Sequence, residues 1–209
     1  MNKESYPHMK FPLWVSRSVD ETKDIYAKWA ASYDVDLTQA GYESPRRIAE
    51  ALKTFSPLEP SILDFGCGTG LSGQALYEVG LTKIDGMDIS SEMLSIAKTR
   101  KLYNKLWLST PGEMTNVELG QYDIIVAAGV VSLGAAPPET LSIMIDKLNP
   151  NGLIGLSYND PTVEDGSYDK VLNEEIRLGR VAVLFRENGP HLSQKDMGCL
   201  LYTSPSPRD

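Results

Sequence analysis

Hydrophobic residues in the first quarter of the chain follow the spacing of a helix. Ser18 and Glu21 form a capping-box pair, which predicts a helix that starts after Ser18 and runs to about Tyr33. The apolar and aromatic positions on one face of that helix are Tyr26, Trp29, Ala30 and Tyr33. Ser44 followed by Pro45 predicts a second helix with Ser44 as its N-cap, and Pro57 ends it.

Beyond Pro60 the pattern changes to short apolar strands that alternate with helices. The predicted strands cover residues 61–65, 83–89, 106–108, 122–131, 153–158 and 181–185. The predicted helices cover residues 71–79, a segment capped by Ser90, a segment that starts at Pro138, and residues 168–178. This alternation predicts right-handed crossovers, and therefore an α/β fold: a three-layer, Rossmann-like, doubly wound sheet of six to seven mainly parallel strands.

The end of the chain does not continue this alternation. Residues 199–209 finish in a Ser/Pro-rich stretch and carry no clear signal for a final strand. We therefore expect residues 199–209 to be disordered, or to be a non-native extension.

The segment from Asp64 to Gly70 joins the first predicted strand of this sheet to its helix, and it contains Gly66, Gly68 and Gly70. Ligands of open α/β sheets bind at this end of the strands. Glycines allow a tight turn and a close approach of the backbone to a ligand, and the following helix presents free N–H groups. Asp88 ends the next strand, where a carboxylate can accept hydrogen bonds from both hydroxyls of a ribose. The pair predicts a site for an adenosine-type nucleoside.

Two cofactors compete for this site. The run Gly68-Thr-Gly-Leu-Ser-Gly73 matches the G-x-G-x-x-G fingerprint of nicotinamide dinucleotides. That fingerprint places its first glycine at the strand end, where this chain has Gly66. An acid at Asp64 would repel a pyrophosphate, whereas it suits a ligand with a cationic amine, such as S-adenosylmethionine (SAM). The residues therefore favour SAM and leave a nicotinamide-dependent oxidoreductase as the alternative.

Asp64-x-Gly-x-Gly-x-Gly70, followed by Met87-Asp-Ile-Ser-x-x-Met-Leu94, resembles the class I SAM-dependent methyltransferases. The helix around Tyr26–Asp34 is similar to the lid helix of the ubiquinone-biosynthesis-like branch. Gly41-Tyr-x-Ser-Pro45 and Gly189-Pro-His-Leu192 resemble the Williams–Beuren-region methyltransferase-like proteins. The resemblance implies an amino-terminal arm and helical lid over residues 1–43 and a SAM-binding methyltransferase domain over residues 44–198.

The same resemblance implies a set of cofactor-binding residues. The residues implied are Tyr33, Asp64, Gly66, Gly68, Gly70, Asp88, Ile89, Met93 and Ala127. Asp64 and Gly66 would face the methionine end of SAM, Asp88 the ribose and Ile89 the adenine. Ser109 or Thr110 stands where the family often has an acid. No catalytic residue is implied, because the sulfonium of SAM already activates the methyl group. The protein has mainly to align the acceptor with that methyl group and to exclude water.

Composition narrows the expected partners. Of 209 residues, 42% are apolar, and 20 Lys and Arg face 28 Asp and Glu, for a net charge of −8. This acidic balance argues against a large contact with nucleic acid or an anionic membrane. The charge therefore favours a small-molecule methyl acceptor and no nucleic acid or membrane partner. We also expect a monomer or weak dimer and a cytoplasmic location.

Histidine and cysteine are scarce. His8 and His191 are the only histidines, so we expect no metal site. His191 is interpreted as a structural or exposed residue rather than as a general base, and Cys67 as a small loop residue rather than as a nucleophile. Besides the oxidoreductase, a SAM-binding regulatory protein without activity stays an alternative.

Overall fold

The computed structural model describes residues 13–205 of the chain. The helices are α1 (Val19–Ala40), α2 (Ser44–Phe55), α3 (Leu71–Glu78), α4 (Ser91–Thr99), α5 (Thr140–Lys147), α6 (Asp160–Asp165) and α7 (Ser167–Arg177). The strands are β1 (Ile62–Phe65), β2 (Ile84–Asp88), β3 (Lys105–Leu108), β4 (Tyr122–Ala127), β5 (Leu148–Asn159), β6 (Phe185–Leu192) and β7 (Met197–Pro205). A 3₁₀ turn over Ser193–Lys195 precedes β7.

The strands form one sheet in the order β3-β2-β1-β4-β5-β7-β6, in which the first five are parallel. β7 runs antiparallel to both β5 and β6. The predicted three-layer, Rossmann-like α/β fold is confirmed. The order reverses between β1 and β4, and that switch point brings the carboxyl ends of β1, β2 and β4 to one edge of the sheet.

The central strands are apolar on both faces because helices cover both. Ile124 and Ile125 are adjacent in β4 and both have no exposed surface, yet they belong to opposite layers of the core. Ile125 packs with Met144 of α5, whereas Ile124 packs with Leu52 of α2. Side chains alternate along a strand, so a continuous apolar run is what a strand covered on both sides requires.

The predicted helix starts at Ser18 and Ser90 are confirmed. The backbone N–H of Glu21 donates to Ser18 Oγ at 3.3 Å, and Ser18 N–H donates to the Glu21 carboxylate. Ser90 Oγ caps α4 by accepting from Met93 N–H at 3.3 Å. α1 does not end near Tyr33 but continues to Ala40, where Gly41 stops it with a left-handed backbone (φ +69°).

Ser44 does not cap α2. It is the first residue of the helix, and its hydroxyl lies 2.7 Å from His191 Nδ1 instead of at a helical N–H. Residues 181–184 of the predicted strand 181–185 are also not in a strand. β6 begins at Phe185, where its pairing with β7 starts with Phe185 opposite Thr203. The sequence pattern does not predict β6, because Gly189 and Pro190 are typical of turns. Proline is nevertheless compatible with β6, since β6 is an edge strand.

The expectation of a disordered tail is wrong for residues 199–205, which lie in β7 between two strands. Cys199 and Leu201 pack on one face of the sheet and Tyr202 on the other, and all three are buried. Residues 206–209, and residues 1–12 of the predicted amino-terminal arm, lie outside the described part of the chain. No helix between residues 13 and 205 is both long and apolar enough to span a bilayer.

Candidate active site

The loop between β1 and α3 needs glycine for two different reasons. Gly66, Gly68 and Gly70 all have a left-handed backbone, with φ of +67°, +54° and +89°. A Cβ on Gly66 would lie 2.6 Å from both methyl groups of Val130, so a side chain there would clash. A Cβ on Gly68 would meet nothing within 4 Å. The backbone of Gly68 therefore faces open space, where a ligand can come close to it.

Asp88 ends β2 beside this loop. Its carboxylate accepts from Gly68 N–H at 2.8 Å and from Ser90 N–H at 2.8 Å, so it fixes both the glycine loop and the start of α4. Burial raises the pKa of Asp88, although the hydrogen bonds from Ser90 and Gly68 oppose the shift. The side chain keeps some accessible surface and lines the cavity above the sheet.

This cavity has a volume of about 220 Å³ and lies at the carboxyl ends of β1, β2 and β4. Asp88 is the one charged side chain among its described lining residues; the rest are apolar, aromatic or small and polar. Six predicted residues line it: Tyr33, Gly66, Gly68, Asp88, Ile89 and Met93. Ser109 and Thr110, where the family often has an acid, line it as well.

Three predicted residues, Asp64, Gly70 and Ala127, are not on the cavity wall. Asp64 is fully buried under the loop, where its Oδ2 accepts from Ser72 Oγ and Tyr103 OH, both at 2.7 Å. Its Oδ1 has no hydrogen-bond partner among the described residues. Burial raises the pKa of Asp64 to about 6 in spite of those two hydrogen bonds. Asp64 thus ties the end of β1 to α3 and to the segment before β3.

Gly70 and Ala127 also fail to reach the cavity for packing reasons. A Cβ on Gly70 would meet the Arg100 side chain at 3.0 Å, so this glycine makes room for an arginine rather than for a ligand. Ala127 is fully buried within β4, and its neighbour Ala128 lines the cavity in its place.

Arg100 connects the glycine loop to α1, a role that no sequence pattern predicts. Its Nε donates to the Thr69 carbonyl at 2.7 Å, and its Nη2 donates to the Asp34 carboxylate. Thr69 Oγ1 donates to the same carboxylate at 2.5 Å. A further N–H of Arg100 reaches Gln74 of α3. At the end of α4, Arg100 has the sequence signature of an ordinary cation near a helix C-terminus.

A second, smaller space adjoins the cavity; we call it the side bay. It has a volume of about 50 Å³. Tyr26, Tyr33, Gly129 and Ala135 line both spaces. The aromatic side chains of the side bay are Trp14, Tyr26, Trp29, Tyr33 and Tyr42, and its polar side chains are Ser132, Asn159 and His191. No charged side chain is among its lining residues within the described range.

Residues 38–200 match the family model described as "Methyltransferase domain". The chain belongs to this family. The match spans the glycine loop, Asp88 and all strands of the parallel part of the sheet. Because the residues of the Gly68–Gly73 run lie within the methyltransferase match, their glycines do not indicate a nicotinamide cofactor. The family therefore favours a methyltransferase over the oxidoreductase alternative.

The methyltransferase domain is similar to human Methyltransferase-like protein 27, with 33% identity over 138 residues, 64% of this chain and 56% of that protein. The chain spans about half the length of this relative, and about a quarter of the length of two other curated relatives. Among solved structures it is similar to the methyltransferase in a complex with the Haloferax volcanii Trm112 methyltransferase activator (TM-score 0.66, 16% identity, 90% of this chain and 98% of that one). A TehB-like SAM-dependent methyltransferase from Corynebacterium glutamicum gives a TM-score of 0.62 at 19% identity, covering 88% of this chain and 99% of that one. These structures share the fold.

The restriction to a small-molecule acceptor without nucleic acid is wrong for this group of relatives. They include the 18S rRNA (guanine(1575)-N(7))-methyltransferase of Saccharomyces cerevisiae, 36% identical over 34% of this chain and 26% of that protein. They also include the ribosomal protein L11 methyltransferase of Thiobacillus denitrificans, 30% identical over 32% of this chain and 22% of that protein. Net charge describes the whole surface, and a methyltransferase contacts its acceptor through only a small part of it.

Proposed function

We propose that this methyltransferase domain binds SAM in the cavity at the carboxyl ends of β1, β2 and β4 and transfers its methyl group to an acceptor. The observation that carries the proposal is the pairing of Asp88 with the open backbone at Gly68. A carboxylate at the end of β2 is placed to accept from two ribose hydroxyls, and the bare loop lets the amino-acid part of a ligand lie against the backbone.

The residues present fit this cofactor. The cavity wall is mainly apolar, which suits an adenine ring between Ile89 and Met93. Asp64, buried under the loop with an oxygen that lacks a partner, adds negative potential below the place where a cationic ligand would lie. When bound, SAM supplies a methyl group that its positive sulfur already activates. The protein then has to orient the two reactants and exclude water.

The lid helix α1 contributes Tyr26 and Tyr33 to the cavity, and Arg100 ties it to the glycine loop through Asp34. We propose that these contacts close one side of the site. The motifs at residues 41–45 and 189–192 and the 33% identity to Methyltransferase-like protein 27 support a place in the branch that the sequence motifs resemble.

Isothermal titration calorimetry with SAM, with its demethylated product S-adenosylhomocysteine and with NADH tests the cofactor. We expect both sulfur compounds to bind and NADH not to bind. Binding of NADH alone would end the proposal. Transfer of label from [methyl-³H]SAM to fractionated cell extract tests the enzyme: a protein that binds SAM but labels no fraction is the regulatory alternative instead.

A further inference from the structure

The two sequence motifs that the SAM site leaves unexplained meet in one place beside the side bay. Residues 41–45 and 189–192 are joined by a bridge between Tyr42 and Leu192, and Glu43 N–H donates to the His191 carbonyl at 3.0 Å. The ring of Tyr42 stands edge-on to the ring of His191, with centroids 5.2 Å apart. This contact places His191 on the wall of the side bay.

One nitrogen of His191 is held by the protein. Nδ1 lies 2.7 Å from Ser44 Oγ, and Ser44 Oγ lies 3.0 Å from Cys199 Sγ. Arg47 directs an N–H at the same sulfur at 3.2 Å, and the thiol directs its own proton at the Pro190 carbonyl at 3.9 Å. The S–H therefore points away from Ser44, which leaves the sulfur as the acceptor of the Ser44 hydroxyl. Ser44 O–H then donates to Cys199 Sγ, and Ser44 Oγ accepts from His191 Nδ1–H. In this arrangement the proton of the neutral imidazole is on Nδ1, and Nε2 keeps its lone pair.

Nε2 has no hydrogen-bond partner among the residues that the structure describes, and it is not among their fully enclosed, unpartnered atoms. It is therefore accessible, although the residue as a whole is only 7% exposed. His191 lines the side bay and is not on the wall of the SAM cavity. Since the side bay shares four lining residues with the SAM cavity, a group placed in it lies next to the proposed cofactor.

We propose that His191 is the general base for the acceptor, and that the acceptor presents an acidic O–H or N–H carried by an aromatic ring. This inference rests on the proposed function. The side bay has room for a reacting group rather than a whole ring, which would extend into the larger cavity. An ionised amine or carboxylate would be desolvated there without a charged partner, so the acceptor group arrives neutral.

The reaction balances without another reagent. His191 Nε2 takes the proton of the acceptor O–H or N–H, and the electron pair left on that atom forms the bond to the methyl carbon. The bond from methyl carbon to sulfur breaks, and its electron pair neutralises the sulfonium. The imidazolium then releases its proton to water.

The environment keeps the imidazole neutral and ready to accept a proton. Burial lowers the pKa of His191 to about 4; Asp160 of α6 opposes the shift, and Arg47 of α2 adds to it. A base this weak needs an acceptor whose own proton is acidic, such as a phenol or the imino group of a nucleobase. A free phenolic compound and a base within RNA both present such a proton on an aromatic ring.

The first test reads the tautomer and needs no acceptor. In protein labelled with ¹⁵N-histidine, the His8→Asn variant assigns the two imidazoles. We expect His191 to be neutral from pH 8 down to about pH 5, with the proton on Nδ1. A proton on Nε2 of the neutral imidazole would overturn the role of base, because no lone pair would then face the acceptor. Because this measurement uses the native protein, it does not depend on how a variant folds.

The second test uses [methyl-³H]SAM with two probes, 7-hydroxycoumarin and a mixed-sequence RNA of twelve nucleotides. Transfer to one of them identifies the source of the ring. His191→Asn keeps an N–H donor for Ser44 but lacks Nε2, so kcat should fall about 100-fold or more while KM changes little. An unchanged kcat contradicts the proposal, as does a protein that binds SAM but labels neither probe. Failure to bind SAM contradicts the proposed function instead.

Discussion

The SAM cavity and the side bay share part of their walls but are built from different chemistry. The cavity has Asp88 on its wall and Asp64 directly beneath its loop, both carboxylates with little or no exposed surface. The side bay is lined by aromatic rings and a neutral histidine. Negative potential is therefore concentrated on the cavity side. The carboxylates of the cavity suit a cationic ligand, whereas the neutral side bay suits an uncharged acceptor group.

The two regions also differ in how far their contacts reach along the chain. Asp88 and Gly68 are 20 residues apart, whereas Ser44 contacts residues 147 and 155 positions away. A loop between adjacent strands is largely local, so its geometry depends on a short sequence. The side bay forms only when α1, the segment after β4 and the end of β6 come together, so its shape depends on contacts between distant parts of the chain.

The largest expected effect tests the buried charge under the cavity. Asp64→Asn keeps an oxygen that can accept from Ser72 and Tyr103 but removes the carboxylate. In the folded protein the pKa of Asp64 is raised to about 6 from 3.8. The protonated carboxyl therefore stabilises the folded state below about pH 4, and this stabilisation is lost as the pH rises through about 6. We expect Asp64→Asn to raise the free energy of unfolding by about 3 kcal/mol at pH 7 and to weaken SAM binding.

Denaturant unfolding of wild type and variant from pH 4 to pH 8 measures this difference. Asp123→Asn is the matched control with the opposite sign: burial opposes the shift, but hydrogen bonds from Ser61 and Asn149 lower the pKa of Asp123. Its contribution is present at neutral pH and is lost as pH falls, so Asp123→Asn should destabilise at pH 7. A pH-independent difference between wild type and Asp64→Asn would show that Asp64 has no raised pKa.

The next effect concerns the cofactor itself. Asp88→Ala removes the carboxylate that we expect to accept from the ribose, and it should weaken SAM binding by about 1–3 kcal/mol, the cost of leaving hydroxyl groups unpaired. Asp85→Ala is the control, because Asp85 lies on the same strand but accepts from Tyr122 OH. Calorimetry with both variants measures the effect. Equal affinities for wild type and Asp88→Ala would remove Asp88 from the site and leave the cavity without its one charged contact.

Most of the fold follows from local patterns in the sequence. The parallel strands and their helices were predicted because an apolar run followed by a capped helix carries its own signal. The glycine loop and Asp88 were predicted for the same reason. Strand β7 was missed because its apolar run, residues 199–202, is short and a Ser/Pro-rich end follows it.

The sequence placed six of the nine predicted residues on the cavity wall but could not show that Asp64, Gly70 and Ala127 lie off it. Asp64 belongs to the same motif as Gly66, but alternation along β1 directs it under the loop toward Ser72 and Tyr103. His191 was interpreted as structural or exposed, because a lone histidine is not by itself evidence for a general base. Its partner Ser44 has the pattern of a helix cap, and only the packing of β6 on α2 gives the hydroxyl a different role.

The smallest expected effect tests the link between α1 and the glycine loop. Arg100 is well covered, but Asp34 is 37% exposed, so solvent screens their interaction. A double-mutant cycle with Arg100→Gln and Asp34→Asn should give a coupling of about 0.5–1 kcal/mol that decreases with salt. The control cycle is Arg46→Gln with Glu50→Gln, an exposed pair on α2 that should couple more weakly.

Denaturant unfolding of all four proteins in each cycle gives the coupling, and calorimetry gives the effect on SAM. Arg100 also donates to the Thr69 carbonyl in the loop, so Arg100→Gln should weaken SAM binding more than Asp34→Asn does. If both variants weakened SAM binding equally, Arg100 would act only through α1. If neither did, the helix would cover the cavity without being held by this contact, and the aromatic packing of Trp29 and Tyr33 would have to hold it in place.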